Sequence, residues 1–599
     1  MAKTARTPAA PRKTTVHIDL EVADLHAHLL RVHMRVPAAP AGLILSLPVW
    51  IPGSYMVREF AQHLQNLSAK QGRRALNVQA LNKHQWQLDN AADQPLSISY
   101  EVYAYDPSVR MAYIDDERAF FNGTGVFVQA LGLDARYEVT LQAPPHAATR
   151  DWQLVTGLTH KRVDARGFGR YLAADYDELV DCPVTMGRMW RAEFAVRGVA
   201  HTWAITGAPA NLDGARLLRD TARIIEAEFD FWHGPKAQPP WSRYVFMMHA
   251  ADNAYGGLEH RNSTALVCAR QDLPRQGPNG QRPAAELKAT DGYTQLLGLI
   301  SHEYFHTWNV KRLRPAEFAQ FDYGRENHTE LLWWFEGFTS YWDDLLLCRA
   351  GLIDAATYLQ LLAKTWNQVR QTPGEALQSV AQSSFDAWTK YYRITENTPN
   401  TTVSYYTKGA LVGLCLDAAL REQGQSLRAL MRSLWAHTEG GPMAVSDIAT
   451  ALDELGCPAL FKRLDTWVHR TDPLPVDAAL QSLGVSCEGV DTPLAQQLGL
   501  RVREDATGLH ITHVLRGGAG EAAGLCPGDE WLSVQVGAQH ARVKSLKDVH
   551  AHLPRNGKFT ALVARDGRVR SLKGQWPATV QAMKLGVQDT ERVKAWLQG

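Results

Sequence analysis

The sequence has no long apolar run and almost no excess of charge of either sign. Its 599 residues include 63 Lys and Arg against 62 Asp and Glu, which gives a formal net charge of +1. Without a strong field, the chain has no general attraction to nucleic acid or to anionic lipid. The first residues are basic, small and proline-containing, and they lack the apolar segment of a secretory signal or membrane anchor. We therefore expect a cytoplasmic protein that binds neither nucleic acid nor membrane.

Clustered cysteines and several common catalytic signatures are also missing. The seven cysteines are scattered and never occur in CxxC spacing, which is typical of reduced thiols rather than of a disulfide framework. The chain has no GxSxG, GxxxxGK[ST] or GxGxxG segment. Serine hydrolase, NTPase and dinucleotide-binding functions therefore have no support in the sequence.

The pattern along the chain predicts several domains. Apolar residues make up 45% of the sequence, which is enough for buried cores. Alternating β-branched segments predict strands up to about Ala269, long helical periods follow from about Glu286 to Arg470, and short strands return beyond about Ser486. We predict a disordered tail (1–15), an N-terminal all-β domain (16–196), an α+β catalytic domain with a helical C-terminal part (197–485), a small β domain (486–577) and a terminal helix or tail (578–599). Helix signals include Asp354 and Ser446 as N-terminal caps and Gly424 and Gly456 as C-terminal residues.

An HExxH segment is the clearest chemical signal. His302 and His306 lie four residues apart, so on a helix both imidazoles share one face and can bind one Zn²⁺, with Glu303 beside them as the base. A chance HExxH on a buried helix is the alternative. The same helix carries an apolar stripe roughly opposite the histidines, formed by Tyr293, Leu296, Leu297, Ile300 and Tyr304.

A catalytic zinc needs a third protein ligand and one open position, and three downstream glutamates compete for that role. They are Glu326, Glu330 and Glu336. We favour Glu336 because it lies in the apolar segment WWFEGFTSY, where an unpaired carboxylate would be costly to bury. Asp343, seven residues later, could accept the outer N–H of a ligating imidazole, although a surface position is equally consistent with the pattern.

These segments resemble a known superfamily. EGFTSY after HExxH, GGLEH at residues 256–260 and YTKG at residues 406–409 are similar to motifs of the gluzincin metallopeptidases, which include aminopeptidase N. HEYFHTWNVKRLRP, WWFEGFTSYW and WIPGSYMVREF resemble the glycyl aminopeptidase family more closely. The chain departs from aminopeptidase N in having His260 where Asn is usual, Phe335 before the glutamate and a longer stretch between His306 and Glu336.

The resemblance implies a thermolysin-like catalytic domain with one Zn²⁺ per chain and Glu336 as third ligand. It further implies that Glu259, with Gly256 and Gly257, binds the free α-ammonium of a peptide substrate, and that Tyr406 donates a hydrogen bond to the tetrahedral oxyanion. A preference for N-terminal Gly or Ala also comes from the family alone. From the residues alone, GGLEH could be a plain turn, and Tyr405 or Tyr406 a core aromatic.

The segment from Gly517 to Leu532 resembles part of bacterial PDZ domains, with Leu498–Leu500 as a candidate carboxylate-binding loop. Such a domain would bind a peptide C-terminus by strand addition, or serve only as a structural partner of the catalytic domain. Three functions therefore stay open: a zinc aminopeptidase, which we favour, a zinc endopeptidase and a non-catalytic PDZ scaffold. The sequence leaves Co²⁺ or Mn²⁺ open as alternative metals.

Overall fold

The computed structural model describes residues 13–277, 289–552, 557–575 and 580–599. The chain forms two compact units, one of residues 1–312 and 320–327 and the other of residues 313–319 and 328–599. Most of the predicted disordered tail lies outside the described residues. Its end was predicted wrongly, because Thr14 and Thr15 already belong to the first strand.

The first unit begins with an all-β domain. Its elements are β1 (Thr14–Asp24), β2 (Leu29–Ala39), β3 (Ile44–Ser46), β4 (Leu64–Gln71), β5 (Arg74–Ala75), β6 (Val78–Ala80), β7 (Gln85–Leu88), β8 (Gln94–Tyr103), β9 (Ala112–Ile114), β10 (Arg118–Phe121), β11 (Gln129–Ala130), β12 (Ala135–Leu141), β13 (Gln153–Thr156), β14 (Thr159–Val163), β15 (Gly169–Ala173), the short helix α1 (Tyr176–Val180) and β16 (Val184–Gly187). Short 3₁₀ turns occur at Phe60–His63, Gly123–Gly125 and Ala147–Thr149.

These strands form three sheets. The largest has the order β14-β15-β12-β1-β2-β8-β4-β5, and two four-stranded sheets have the orders β13-β16-β10-β9 and β11-β3-β7-β6. Alternate residues of β1 are buried, as expected of a strand with one face on a core. The loop after β3 carries Trp50 and Tyr55, both almost fully buried.

The first unit continues with a second layer, which carries the HExxH helix. Its elements are β17 (Met189–Val196), β18 (Val199–Thr206), α2 (Gly214–His233), β19 (Arg243–Ala251), β20 (Tyr255–Glu259), β21 (Ser263–Ala269), a 3₁₀ turn (Arg270–Asp272) and α3 (Asp291–Phe305). The strands form one sheet in the order β17-β18-β19-β21-β20, in which β20 is an antiparallel edge strand.

The sequence analysis predicted only strands in this stretch and missed α2, a helix of 20 residues. Asp213 caps it by accepting a hydrogen bond from the Arg216 N–H, and Leu217, Ile224 and Ile225 are buried on its inner face. The Asp cap and this apolar spacing were readable signals for a helix.

The second unit begins with helices. They are a 3₁₀ turn (Ala316–Phe318), α4 (Leu332–Phe335), α5 (Gly337–Arg349), α6 (Ala355–Arg370), a 3₁₀ turn (Pro373–Ala376), α7 (Val380–Phe385), a 3₁₀ turn (Asp386–Trp388), α8 (Thr398–Thr401), α9 (Thr407–Arg421), α10 (Leu427–His437), α11 (Val445–Glu454), α12 (Ala459–His469) and α13 (Val476–Ser482).

The helix ends follow the predicted signals with one exception. Asp354 caps α6 by accepting from the Thr357 N–H, and Gly424 and Gly456 both have positive φ. The prediction for Ser446 is wrong. Ala444 precedes α11, and Asp447 closes the turn by accepting from the Ala444 N–H, so Ser446 lies inside the first turn.

The C-terminal part of the second unit is a small β module set on a two-stranded ribbon. Its elements are β22 (Val485–Asp491), α14 (Leu494–Leu498), β23 (Leu500–Asp505), β24 (Gly508–Val514), α15 (Ala519–Ala522), β25 (Glu530–Val536), β26 (Gln539–Arg542), α16 (Leu546–His552), β27 (Lys558–Arg565), β28 (Arg568–Gln575), β29 (Gln581–Val587) and α17 (Thr590–Gln598). The module sheet has the order β23-β24-β25-β27-β28, with β26 paired to β25, and has its own apolar core around Trp531.

Strand β22 pairs with β29 along their whole length, from Val485 opposite Val587 to Asp491 opposite Gln581. The terminal stretch therefore holds a strand before its helix α17, where only a helix or tail was predicted. Trp596 of α17 is buried and donates to the Tyr341 hydroxyl of α5, which in turn donates to Asp417 of α9. Within the described residues, no helix combines the length and the apolarity needed to span a bilayer.

Candidate active site

Helix α3 carries the HExxH residues at its C-terminal end. Thr290 caps its start, and all five residues of the predicted apolar stripe are buried. His302 lies in the last turn, and His306 is the residue that ends the helix. Because the carbonyl groups at a helix C-terminus carry partial negative charge, a cation is favoured at this end.

His302, His306 and Glu336 form a potential metal-binding group among the described residues. One ligand atom from each lies within 4.8 Å of the others. The Nδ1 of His306 lies 2.7 Å from the Asn309 carbonyl oxygen, to which it donates. That bond fixes the ring tautomer, so Nε2 keeps the lone pair that a metal requires. Two imidazoles and one carboxylate form the donor set of a hydrolytic zinc site with an open fourth position, and the residues present therefore fit zinc.

Glu336 belongs to the second unit, where it lies at the break between α4 and α5 and is 2% exposed. Both rival glutamates, Glu326 and Glu330, are exposed, and Glu330 lies 3.8 Å from His469. Next to Glu336, the backbone of Gly337 packs against α9, since a Cβ there would lie 2.5 Å from the Gly409 Cα. Of the three candidate glutamates, Glu336 is the buried one that belongs to this potential metal-binding group, and its role as third ligand stays a prediction.

Glu303 is 5% exposed and lies against the edge strand β20. A Cβ at Gly257 would overlap the Glu303 carboxylate and would lie 2.7 Å from its Cγ. Only a residue without a side chain allows the strand to approach the base this closely. Gly256, one residue earlier, has a φ of 155°, a backbone conformation that also favours glycine.

Glu259, at the end of β20, is a buried carboxylate with one unsatisfied oxygen. The residue is 4% exposed, and its Oε1 has no hydrogen-bond partner among the described residues. The N-terminal loop packs against it at Gly53, where a Cβ would lie 2.5 Å from both carboxylate oxygens. A buried carboxylate with a vacant acceptor is suited to an ammonium group.

Tyr406 lies directly before α9. Its hydroxyl is 3.5 Å from that of Tyr392. Burial raises the pKa of the Tyr406 phenol well above its ordinary value, and the charge of Glu336 raises it further. The phenol therefore keeps its proton at neutral pH and is available as a hydrogen-bond donor.

Comparison with known proteins gives the family. The M61 glycyl aminopeptidase profile matches residues 295–412, and the profile of the peptidase M61 N-terminal domain matches residues 17–188. An aminopeptidase N family protein from Idiomarina loihiensis is 32% identical, with a TM-score of 0.91, over 98% of this chain and 100% of that chain. The chain belongs to the M61 glycyl aminopeptidase family. It is a metallo-aminopeptidase, as the sequence resemblance indicated.

Other solved structures resemble this M61 aminopeptidase more distantly. An M1 zinc metallopeptidase from Deinococcus radiodurans is 14% identical, with a TM-score of 0.48, over 78% of this chain and 95% of that chain. A mutant of the same enzyme bound to a Tyr-Ser-Ala substrate is 13% identical, with a TM-score of 0.47 over the same shares. No curated protein matches the chain.

Asp343 does not have the predicted role toward His306. The Asn309 carbonyl is the partner of His306 Nδ1, whereas Asp343 lies on α5 and accepts a hydrogen bond from the Asp344 N–H. A role toward His302 stays a prediction. A backbone acceptor carries no signal in the residue type, so the sequence analysis considered a carboxylate seven residues after Glu336 instead.

The sequence analysis also missed a buried ionic group beside Glu259. Asp181, Lys311 and Arg312 of this M61 aminopeptidase meet next to His260 and Arg261. The basic residues after HExxH were quoted only as part of the family resemblance. Their partner Asp181 is far away in the chain, so no local spacing could connect them.

Proposed function

We propose that this M61 aminopeptidase releases small N-terminal residues, Gly or Ala, from peptides with a free amine. The observation that carries the proposal is the buried Glu259 carboxylate with its vacant oxygen, on the strand whose Gly257 touches Glu303. An ammonium bound at Glu259 would place the first residue of a peptide beside the base. Extension of the chain beyond that ammonium would leave the carboxylate buried and unpaired, which favours an exopeptidase.

We assign the metal to His302, His306 and Glu336. Zinc bound there would supply Lewis acidity that polarises the scissile carbonyl and lowers the pKa of a water. Glu303 accepts the proton of the attacking water and delivers it to the leaving amine, and Tyr406 donates its phenol proton in a hydrogen bond to the developing oxyanion. No covalent intermediate with the enzyme is required.

The size preference finds support in the packing at Glu259. Gly53, with a φ of 91°, packs on the carboxylate, and Trp50 and Tyr55 of the same loop are almost fully buried. We propose that this loop limits the space next to the bound ammonium.

The test is hydrolysis of glycyl and alanyl p-nitroanilides, free and N-acetylated, by metal-analysed wild type, Glu303→Gln and Glu259→Ala. We expect chelator-sensitive cleavage of the free substrates alone. Glu303→Gln should lower kcat by about 10³-fold with zinc content unchanged, because it removes the general base. Glu259→Ala should mainly raise KM for free substrates.

Two outcomes would contradict the proposal. Equal cleavage of acetylated peptides, unaffected by Glu259→Ala, would indicate an endopeptidase. Loss of zinc in Glu303→Gln would mean that this carboxylate helps to hold the metal rather than serving as the base.

For the C-terminal module we propose a PDZ-like function in binding peptide C-termini. Strand β23 is an edge strand of its sheet, the candidate loop Leu498–Leu500 leads directly into it, and Glu504 at its far end accepts from the Leu546 N–H of α16. An edge strand beside a helix supports addition of a peptide strand. Titration of the full chain with a fluorescent peptide, with a free or amidated C-terminus, tests this.

A further inference from the structure

A buried ionic group joins the segment after the metal-binding helix to the strand that ends at Glu259. At its centre is Asp181, which lies at the end of α1. Its Oδ1 is 2.8 Å from Lys311 Nζ and 3.3 Å from His260 Nδ1, and its Oδ2 accepts from the Arg261 N–H at 2.9 Å. The side chains of Lys311 and His260 are 7% and 1% exposed.

A second cation makes a parallel connection. Arg312 Nη1 donates to the Thr307 carbonyl at 2.7 Å and to the Arg261 carbonyl at 3.0 Å. Its guanidinium also lies over the Trp241 ring, 4.2 Å from the centroid. Thr307 follows the metal ligand His306, and Arg261 is two residues beyond Glu259. One side chain therefore spans the two segments.

The connections end directly at the active-site residues. The Lys311 N–H donates to the His306 carbonyl at 3.0 Å, and His260 is the neighbour of Glu259. From the metal ligand to the predicted amine anchor, the path runs through the Lys311 ammonium, the Asp181 carboxylate and the His260 imidazole. The two contacts of Asp181 in this path involve a charged carboxylate that is largely shielded from water, so they are strong and directional.

The charges are mutually compensated. Burial opposes ionisation of Asp181, but Lys311 and the hydrogen bond from His260 hold its pKa well below the usual range. Removing Asp181 would leave the Lys311 ammonium buried without its carboxylate. Removing Lys311 would leave Asp181 with the more distant Arg261 Nε, at 3.9 Å, as its remaining cation, and both changes are costly. Apolar residues in place of the whole group would stabilise the fold equally well. The group therefore contributes the fixed geometry of its bonds rather than additional stability.

We propose that Asp181 and Lys311 are positioning residues that hold Glu259 at a fixed distance from the metal-binding helix and thereby set the recognition of the substrate amine. The inference rests on the proposed role of Glu259. It also explains His260 at the position where aminopeptidase N has Asn, since the imidazole reaches the carboxylate of Asp181.

The experiment measures amine recognition separately from metal binding. Glycine hydroxamate and acetohydroxamate share the metal-binding group, but only the first carries an amine, so the ratio of their inhibition constants reports the Glu259 site. In Lys311→Met, we expect glycine hydroxamate to bind about tenfold more weakly, and acetohydroxamate to bind within about twofold of wild type. If Lys311→Met does not fold, the double variant Asp181→Asn, Lys311→Met replaces it in the same measurement. It removes both charges and so leaves neither one buried without its partner.

A double-mutant cycle tests whether Lys311 acts through Glu259. In the Glu259→Ala background, Lys311→Met should leave the inhibitor ratio unchanged, because the group that it positions is gone. The control is Lys161→Met, which breaks another lysine–carboxylate pair of the first unit, with Lys161 Nζ at 2.7 Å from Glu138, and should keep the wild-type ratio.

The possible outcomes distinguish the amine site at Glu259 from the positioning role of Asp181 and Lys311. An unchanged ratio in Glu259→Ala would overturn the proposed amine site itself. A changed ratio in Glu259→Ala, together with a wild-type ratio in folded, zinc-loaded Lys311→Met and in the double variant, would overturn the positioning role alone. Equal weakening of both inhibitors in Lys311→Met would overturn it as well, since that indicates general damage to the site.

Discussion

Single residues at the active site show how backbone space controls chemistry. Gly257 leaves room for Glu303, and Gly53 leaves room for Glu259. In both cases, a carboxylate with a proposed role in catalysis or amine binding lies where any other residue would place its Cβ. Glycine at positions 257 and 53 is therefore a requirement for the observed placement of the two carboxylates.

We predict that Gly257→Ala lowers kcat by about 10²-fold, because the added methyl group displaces the Glu303 carboxylate from its position. Steady-state kinetics with metal analysis checks this, and zinc content should stay at the wild-type level. The control is Gly125→Ala in the N-terminal domain, where the Cβ would lie 3.5 Å from Phe60 at ordinary contact distance. Wild-type kcat in Gly257→Ala would mean that the strand or the base moves freely.

The residues of the candidate metal group could be selected from the sequence because their signal is local, and the roles of ligand and base stay predictions. His302, Glu303 and His306 lie within five residues, and the helical period alone places both imidazoles on one face. Selecting Glu336 required an argument from the cost of burial. The bonds of Asp181 could not be predicted, since residue type and local pattern carry no information about a partner distant in the chain.

At the level of elements, helix α3 is held on its sheet by a buried polar contact. His201 of β18 is 1% exposed, and its Nε2 lies 2.9 Å from the Tyr304 hydroxyl. Burial lowers the pKa of His201 to about 4. The folded protein therefore keeps this imidazole neutral through the mildly acidic range.

This contact predicts a specific dependence of stability on pH. Below pH ~6.5 the unfolded chain gains a proton at His201 that the folded chain does not bind, so the free energy of unfolding falls as the pH drops toward ~4. The loss reaches about 3 kcal/mol. Urea unfolding at several pH values should show that the free energy of unfolding changes less with pH in His201→Gln than in wild type. Parallel curves would contradict the prediction.

Helix α2 and the terminal ribbon show where prediction of elements failed. The strand patterns on both sides of α2 led to a prediction of strands for the whole stretch, and the helix cap at Asp213 was overlooked. Strand β29 has little apolar alternation, and its pairing with β22 depends on a partner almost a hundred residues away in the chain. Local patterns describe a strand that packs on a core better than one whose partner is distant.

For the whole molecule, the N-terminal all-β domain and the helical C-terminal part follow the predicted order. The domain boundaries and the cytoplasmic location stay predictions. The module after β22 contacts the helices through Asn400, whose amide donates to the Val514 carbonyl and accepts from the Arg516 N–H. Asn400 is on α8, six residues before Tyr406. These two hydrogen bonds therefore join the module to the segment that precedes Tyr406.

The paired ends of β22 and β29 imply that the module is a cassette inserted into a hairpin. Asp491 and Gln581 lie opposite each other, and Asn367 of α6 hydrogen-bonds to both backbone groups of Met583, so the ribbon belongs to the helices rather than to the module. We predict that replacing residues 492–580 with an Asn-Gly turn restores an uninterrupted hairpin that folds and binds zinc. Circular dichroism and metal analysis check this, and an unfolded product would contradict it.

In evolutionary terms, a peptidase that folds without the module, as we predict, needs only one insertion point to gain, exchange or lose it. Both the chain that enters the module and the chain that leaves it pass through the same pair of neighbouring residues. Relatives that differ in this module alone are thus accessible by a single recombination event.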